Sequence, residues 1–286
     1  MRVMILGASG YLGTKVKEFL KQADYEVTGV YRTISADRDA KREYCIRADL
    51  EEIQAEFKRE KYDWIINCAA VYERGDTSVH EVVDANLIFA LRVLNCAVEA
   101  GIKNFLTIDT SLPVNMNLYS FTKKSFAEFG KLYAEKYRIH FVNVVLEMFY
   151  GEDEPENRFL IHCCKAMRAG EELRLTAGTQ KRDIIYIEDV CTAIEILLNA
   201  PIAGYVDVPL GSGEAVPVRT ILEHMHRVLA SESKLLFGAV PMRENEPDCV
   251  ADLSLLKGYG YEVKYSWMHG IEHLCEKIRE REKQNE

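Results

Sequence analysis

A glycine-rich turn near the start of the chain constrains its fold more than any other feature. Gly7, Gly10 and Gly13 are spaced three residues apart, after the strand-like segment Arg2–Leu6 and before a helical pattern over 11–23. Such a turn lets the backbone approach a ligand closely and directs the N–H groups of a helix N-terminus at an anion. In this context the spacing predicts a dinucleotide-binding loop. Its predicted contacts are Gly7, Ser9, Gly10, Tyr11, Leu12 and Gly13.

The first half of the chain alternates short β-rich runs with helical periodicity, which is typical of a parallel sheet covered by helices. Predicted helices span 11–23, 79–100 and 119–137, and Gly101 ends the second one. We therefore expect an α/β fold: a doubly wound parallel (Rossmann) sheet with a smaller interleaved domain. The strand candidates are Arg2–Leu6, Glu26–Tyr31, 63–67, 104–109 and His140–Leu146.

The alternation becomes irregular after Leu146, where an acidic loop over 151–157 follows. We expect residues 1–146 to form the dinucleotide-binding Rossmann domain, with returning segments near 183–212. Residues 147–286 are then expected to form mainly a substrate-binding domain.

Charge and composition exclude several classes of partner. The 286 residues carry a formal net charge of −9, which argues against nucleic acid and anionic membranes. No apolar run approaches the roughly 20 residues that span a bilayer, and the N-terminal segment lacks signal-peptide features, so we expect a cytoplasmic protein. The eight cysteines show no C-x-x-C spacing and are expected to be reduced. His269 and His273 lack a nearby third ligand, so no metal site is predicted.

Arg32 bears on which cofactor the chain prefers. A carboxylate at the end of the second strand would bind the ribose hydroxyls of NAD, but this chain has Tyr31-Arg32-Thr33 there, followed by Arg38, Lys41 and Arg42. Because arginine pairs with a 2′-phosphate, the residues favour NADP (NADPH), with NAD still possible. A solvated arginine at a strand end is the alternative interpretation.

Tyr119 and Lys123 are candidates for proton transfer. They stand four residues apart in a predicted helix, so they share a face, and a nearby ammonium lowers a tyrosine pKa from about 10 toward the range of a general acid. Tyr11 and Lys15 have the same spacing inside the glycine turn, so spacing alone does not identify the site.

Thr110 and Ser111 follow a predicted strand, where their hydroxyls would hydrogen-bond a substrate carbonyl or alcohol. Turn chemistry is the alternative for this pair. Asp109, beside them, fits the helix-capping or solvated acid that usually ends a strand.

Together these motifs resemble the extended short-chain dehydrogenases/reductases, the NAD-dependent epimerase/dehydratase group that acts on nucleotide sugars. The resemblance covers almost the whole chain, through 180–190, Gly211-Ser212-Gly213 and Ala251-Asp252. It implies that Thr110, Tyr119 and Lys123 are catalytic. It places Asp49, Leu50, Ala69, Asn86, Tyr119 and Lys123 at the cofactor, and Thr110, Ser111, Arg182 and Arg243 at the substrate.

The resemblance also implies a homodimer built from the helices at 79–100 and 119–137. Phe126, Phe129, Leu132 and Tyr133 fit an outward apolar face on the second helix, although burial within one subunit gives the same pattern.

Departures from the family pattern narrow the predicted reaction. Family 4,6-dehydratases carry an Asp-Glu pair after the catalytic threonine, but Ser111 and Leu112 stand there, and leucine cannot exchange a proton. The run 146–151 stands where many members have an Arg and an Asn before the Tyr-Gly, so this chain lacks those two side chains there. The three runs T-S-L-P (110–113), N-L-Y-S-F-T-K-K (117–124) and L-E-M-F-Y-G (146–151) are together most similar to the CDP-abequose/CDP-paratose-type 4-ketoreductases.

We therefore expect an NADPH-dependent reductase acting on the 4-keto group of a nucleotide-activated deoxyhexulose, with a CDP-sugar favoured, in deoxysugar and surface-polysaccharide biosynthesis. The alternatives are a nucleotide-sugar 4-epimerase with tightly bound NAD, and a non-catalytic NADP-binding regulatory protein.

Overall fold

The main sheet of the protein is parallel. The computed structural model describes residues 1–32, 45–73, 75–242 and 247–285, and within these the main sheet has seven strands. They are β1 (Arg2–Leu6), β2 (Glu26–Tyr31), β3 (Cys45–Arg47), β4 (Trp64–Asn67), β5 (Asn104–Thr110), β6 (His140–Leu146) and β10 (Tyr205–Leu210). They lie in the order β10-β6-β5-β4-β1-β2-β3, which confirms the predicted α/β fold class.

β1 lies at the point where the strand order reverses. Val3 pairs with Val27 of β2 on one side and with Trp64 of β4 on the other, both in parallel register. The chain runs outward from β1 in one direction and then returns to build the other half of the sheet. Ligands of such sheets bind at this reversal, beyond the carboxyl ends of the strands.

Helices connect these strands. The second predicted helix is interrupted by a π-helical turn, Asp84–Ile88, between Val79–Val83 and Phe89–Glu99. We treat these three pieces together as α3. The other helices are α1 (Tyr11–Gln22), α2 (Leu50–Arg59), α4 (Leu118–Tyr137), α5 (Phe159–Arg168), α6 (Ile187–Asn199), α7 (Val218–Leu229), α8 (Ser254–Gly258) and α9 (Trp267–Asn285).

Aromatic rings hold α4 against the sheet. Phe105 and Phe141 stack with centroids 5.4 Å apart, and Phe126 of α4 meets the edge of Phe141 at 5.8 Å. A Cβ on Gly130 would overlap the Phe141 ring, so glycine is what allows this close approach. Phe126 is fully buried, which corrects its expected place on an outward face. Burial of such rings is the main source of stability for a layer of this kind.

The chain divides into two compact units. Unit 1 comprises Met1–Leu146 and Ala193–Pro209, and unit 2 comprises Glu147–Thr192 and the chain from Leu210 onward. The returning segment is therefore shorter than the expected 183–212. Residues 183–192 belong to unit 2, where β9 (Lys181–Tyr186) pairs with β7 (Met148–Tyr150) and β11 (Ala215–Pro217). The remaining strands of unit 2, β8 (Leu173–Leu175) and β12 (Leu235–Phe237), pair with each other.

Asp183 fixes the loops of unit 2. Its buried carboxylate accepts hydrogen bonds from the N–H of Ser212 at 2.6 Å and of Gly213 and Ala251 at 3.0 Å, and from the Ser212 hydroxyl at 2.7 Å. A Cβ on Gly211 would overlap this carboxylate. The motifs Gly211-Ser212-Gly213 and Ala251-Asp252, distant in sequence, thus meet at one side chain.

Two further observations concern the chain as a whole. Within the described residues, none of the helices has the length and apolar character needed to cross a membrane. All eight cysteines are free thiols.

Candidate active site

The glycine turn after β1 packs directly on the turn after β4. Gly7 has φ +73°, and a Cβ there would stand 2.7 Å from the N and Cα of Ala69. A Cβ on Gly13 would overlap the carbonyl oxygen of Gly7, whereas one on Gly10 would meet that oxygen at 3.4 Å. Gly7 and Gly13 are therefore required by the protein's own packing. Gly10 has room within the protein, which leaves its bare backbone open to a ligand.

The N-terminus of α1 fits an anionic group. The bond from Thr14 N to Gly10 O, at 2.8 Å, closes the first turn of α1, whose N-terminal N–H groups point toward the glycine loop. This turn holds no acidic residue, whereas α2 carries Glu51 and Glu52 in its first turn. The loop therefore fits the pyrophosphate of a dinucleotide, which needs N–H donors and an unopposed helix dipole.

Arg32 lies exposed just past β2. It is within electrostatic reach of Glu81, whose pKa is lowered first by hydrogen bonds from Ser78 and further by the charge of Arg32. The charge of Arg32 therefore acts on the first turn of α3. Thr33, Arg38, Lys41 and Arg42 lie outside the described residues.

Asp49 is the N-cap of α2. Its Oδ1 accepts the N–H of Glu51 at 2.8 Å and of Glu52 at 3.2 Å, and Leu50 begins the helix. The cap fixes the position of the carboxylate and leaves Asp49 exposed, where a ligand can reach it.

Lys123 is buried on α4, with 3% of its surface exposed. Burial lowers the pKa of Lys123 to about 8, while the negative charge of Asp109 opposes the shift. The pKa of the Cys68 thiol is raised to about 12 by burial, although Lys123 lowers it, so this thiol stays neutral at physiological pH. Lys123 therefore retains its positive charge near pH 7, in surroundings that weaken its hold on the proton.

Asp109 is neither solvated nor a helix cap, which corrects the expectation for this residue. It is 2% exposed, and its Oδ2 accepts Lys124 Nζ at 2.9 Å and Asn143 Nδ2 at 3.1 Å. Its Oδ1 accepts the N–H of Thr110 at 2.7 Å. The carboxylate is thus a fixed structural charge that anchors the end of β5 to α4 and β6.

Thr110 and Ser111 lie at the carboxyl end of β5. Thr110 Oγ1 accepts the N–H of Leu112 at 3.2 Å, and Ser111 N donates to Leu146 O at 3.1 Å. The turn chemistry proposed as an alternative is therefore present. It orients the Thr110 hydroxyl, whose hydrogen can still be donated to a ligand.

Tyr119 is in the first turn of α4. A reciprocal capping box between Asn117 and Ser120 sets where this helix begins: Ser120 N donates to Asn117 Oδ1 at 2.8 Å, and Asn117 N donates to Ser120 Oγ at 3.2 Å. The ring of Tyr119 stacks on the ring of Tyr72, with centroids 4.5 Å apart and planes at 28°. The cap thereby places Tyr119 and Lys123 on one face of a helix with a fixed start.

Asn86 lies in the π-helical turn of α3 and is fully buried. Its Oδ1 accepts Val71 N at 2.7 Å, and its Nδ2 donates to Val71 O at 2.9 Å and to Thr122 Oγ1 at 3.2 Å. The amide is engaged by the protein itself and joins the segment after β4 to α4. The cofactor contact predicted for Asn86 stays a prediction.

Arg182 lies in β9 of unit 2. Its Nη1 donates to the carbonyl oxygens of Lys181 and Pro247, each at 2.7 Å. These bonds tie the 247–251 segment to β9 and hold the guanidinium in place. Arg243 lies outside the described residues.

In unit 1, the structure brings several predicted residues together at the carboxyl ends of β1, β4 and β5. Gly7 packs on Ala69, and Lys123 lies within electrostatic reach of Cys68 and Asp109. Asp109 in turn accepts a hydrogen bond from the N–H of Thr110. Tyr72 and the clamping role of Asn86 were missed by sequence reasoning, because nothing in sequence connects these segments to α4. In the described residues, no group of three or more His, Cys, Asp or Glu could hold a metal ion.

Comparisons with known proteins agree with this geometry. Residues 3–208 match the NAD dependent epimerase/dehydratase family. CDP-abequose synthase of Salmonella typhimurium is 29% identical over 96% of this chain and 98% of that protein. The CDP-abequose synthase of Yersinia pseudotuberculosis is 25% identical over 78% of this chain and 80% of its own.

A solved structure shows the same fold. UDP-glucuronic acid 4-epimerase from Bacillus cereus, in complex with UDP-glucuronic acid and NAD, superimposes with a TM-score of 0.83 at 21% identity, covering 98% of this chain and 100% of that one. The family match spans well over half of the chain. The protein therefore belongs to the NAD-dependent epimerase/dehydratase family of extended short-chain dehydrogenases/reductases, and is an NAD(P)-dependent oxidoreductase of that type.

Proposed function

We propose that the protein is an NADPH-dependent reductase of the 4-keto group of a nucleotide-activated deoxyhexulose, with a CDP-sugar favoured. The observation that carries this proposal is the buried, charged Lys123, four residues after Tyr119 on α4. The two positions after Thr110, where dehydratases carry carboxylates, are Ser111 and Leu112. The similarity to two CDP-abequose synthases supports the choice of a CDP-sugar.

In this proposal Tyr119 is the general acid. NADPH, when bound, supplies the hydride that reduces the sugar C4. Tyr119 donates its phenolic proton to the C4 oxygen as negative charge develops there, and the ammonium of Lys123 stabilises the phenolate that remains. Thr110 donates a hydrogen bond to the same oxygen and orients it, with Ser111 beside it.

Dehydration is disfavoured by the chemistry around Thr110. Ser111 and Leu112 follow it, and neither supplies the acid and base that eliminating water needs. The preceding carboxylate, Asp109, is occupied by Lys124, Asn143 and the N–H of Thr110. Because both oxygens of this buried carboxylate are engaged by protein donors, Asp109 is not placed to act on a substrate.

The cofactor contacts follow from the glycine loop outward. Gly7, Ser9, Gly10, Tyr11, Leu12 and Gly13 would hold the pyrophosphate, and Arg32 would pair with the 2′-phosphate that distinguishes NADP. Asp49 and Leu50 would contact the adenine, with Ala69, Tyr119 and Lys123 at the nicotinamide end. Arg182 and Arg243 are proposed to bind the diphosphate of the substrate.

We also propose a homodimer through α3 and α4. Phe121 is 51% exposed, Phe129 37% and Leu132 58%, and their spacing puts them along one side of α4. An exposed apolar stripe of this kind on a helix is typical of a subunit interface. Light scattering should give twice the 32.7 kDa chain mass, and Leu132→Glu should shift it toward the monomer. A monomeric wild-type protein would refute this part of the proposal.

The test of the reaction is NADPH oxidation against a panel of CDP-, dTDP-, UDP- and GDP-4-keto sugars. We expect turnover with a CDP-sugar, and a loss of about 10²–10⁴-fold in kcat for Tyr119→Phe. Tyr137→Phe, on the same helix, is the matched control and should behave as wild type. Near-full activity of Tyr119→Phe would refute the proposed acid, and no turnover with any sugar would favour a non-catalytic NADP-binding protein.

A further inference from the structure

Tyr72 covers the proposed general acid. Its ring stacks on that of Tyr119 with centroids 4.5 Å apart and an interplanar angle of 28°. The two tyrosines come from different parts of unit 1: Tyr72 from the segment after β4, and Tyr119 from the start of α4. We propose that Tyr72 is a positioning residue that holds the phenol of Tyr119 in the orientation needed for proton transfer, an inference that rests on the proposed function.

The segment that carries Tyr72 is itself fixed. The amide of Asn86 bonds both the N–H and the C=O of the neighbouring Val71, at 2.7 and 2.9 Å. The same amide donates to Thr122 Oγ1 at 3.2 Å, and Thr122 in turn donates to the carbonyl of Tyr119 at 2.9 Å. One fully buried side chain therefore sets the position of the Tyr72 segment relative to the turn of α4 that carries Tyr119.

Stacking restricts the phenol in a way that the helix alone does not. The first turn of α4 fixes the backbone of Tyr119, but its side-chain torsions remain able to swing the hydroxyl by several ångströms. A ring against one face removes most of those orientations and keeps water from that face. Proton transfer needs the donor within hydrogen-bond distance of the acceptor, so fewer orientations mean a faster chemical step.

This role depends on the ring of Tyr72 and not on its hydroxyl. Tyr72 is 36% exposed, so removing its ring leaves no large cavity in the core. Tyr72→Phe keeps the ring, while Tyr72→Ala removes it. The pair Tyr133 and Tyr137, with centroids 5.0 Å apart near the other end of α4, offers a matched control. Tyr137→Ala removes a similar tyrosine contact about 27 Å along the same helix.

The kinetic test measures single-turnover reduction of the 4-keto sugar by the NADPH-loaded enzyme. We expect Tyr72→Ala to lower this rate by about 2- to 12-fold, the range that one aromatic pair supports, with the NADPH dissociation constant unchanged. Tyr72→Phe and Tyr137→Ala should react at the wild-type rate. A wild-type rate for Tyr72→Ala, or a loss in Tyr72→Phe equal to that in Tyr72→Ala, would overturn the inference.

A second measurement needs neither cofactor nor substrate. Unfolding of the free protein is followed for Tyr72→Ala, Tyr119→Ala and the double variant. Stacked rings predict that the two single effects do not add, whereas additive effects would overturn the inference. If the proposed function is wrong, the wild-type protein will oxidise no NADPH, but the effects of Tyr72→Ala and Tyr119→Ala on unfolding will still be non-additive.

Discussion

Lys124 Nζ lies 2.9 Å from Asp109 Oδ2, so the buried carboxylate at the end of β5 pairs with the residue after Lys123 and not with Lys123 itself. Lys123 therefore receives only part of the compensation that its buried charge needs. Its pKa falls to about 8 because burial outweighs the attraction of Asp109. The fold holds an ammonium in an unfavourable place, as expected of a group kept for chemistry and not for stability.

Replacing Lys123 with methionine should stabilise the cofactor-free protein while strongly lowering, but not abolishing, the rate of reduction. The folded pKa, about 8, lies below the unfolded value of about 10.4, so below pH 8 the lysine is charged in both states and its burial costs the most. At pH 7 the free energy of unfolding of Lys123→Met should exceed that of the wild type by about 3 kcal/mol. It should shrink as pH rises from 8 to 10.4, where the wild-type lysine becomes neutral on folding.

Lys124→Met is the matched control for that experiment. It removes the partner of Asp109 at 2.9 Å and should destabilise the protein. Urea unfolding at pH 7 and pH 10 measures both variants. A Lys123→Met protein less stable than wild type at pH 7 would contradict the assignment of a costly buried charge.

The pH dependence of kcat/KM for NADPH should report the same group. This parameter follows ionisations of the free enzyme. It should fall as pH rises through about 8, because Lys123 loses the charge that assists Tyr119. In Lys123→Met the residual activity should lack this descending limb. A descending limb of kcat/KM that is unchanged in Lys123→Met would assign the ionisation to another group.

Two glycines of the loop should respond differently to alanine. In Gly13→Ala the new methyl overlaps the carbonyl of Gly7, so we expect loss of both stability and NADPH binding. In Gly10→Ala the methyl meets that oxygen at 3.4 Å, so stability should change by less than about 1 kcal/mol. NADPH binding should nevertheless weaken at least tenfold, because the methyl occupies space that the pyrophosphate requires. Thermal unfolding and fluorescence titration measure the two effects, and unchanged binding in Gly10→Ala would argue against this loop as the phosphate site.

Asp183→Ala should destabilise unit 2 severely. The change leaves the buried N–H groups of Ser212, Gly213 and Ala251 without their acceptor, which should cost more than about 3 kcal/mol. Asp252→Ala is the control, since that exposed carboxylate bonds only Ser254 among the described contacts and should cost about 1 kcal/mol. Guanidinium unfolding compares the two, and equal losses would contradict the role of Asp183.

The sequence could predict what depends on local pattern. β1, β2 and β6 were predicted with their observed bounds because apolar runs and the glycine turn mark them. β3 is only three residues long, and the π-helical turn of α3 leaves no mark in the hydrophobic period, so both were missed. β3 forms by pairing with β2, and the π-helical turn contains Asn86, whose amide bonds Val71 and Thr122. Neither element is set by the pattern of its own residues.

The candidate site likewise contains features that local sequence predicts and contacts that it does not. Glycine spacing and the Tyr119–Lys123 pair are local, and the structure positions both on the expected elements. The Asp109–Lys124 ion pair, the Asn86 clamp on Val71 and the Tyr72–Tyr119 stack join segments that are distant in sequence. No spacing rule reports such contacts, since they arise only once the sheet has brought the strand ends together.

The most direct test of the proposed reaction is the stoichiometry of NADPH consumption. Purified protein is given NADPH and a CDP-4-keto-deoxyhexulose, and absorbance at about 340 nm is followed beside the amount of reduced sugar formed. We predict one NADPH oxidised for each 4-hydroxy sugar produced, with the reaction lost in Tyr119→Phe. Interconversion of C4 epimers by an enzyme that retains NAD and consumes no NADPH would contradict the account.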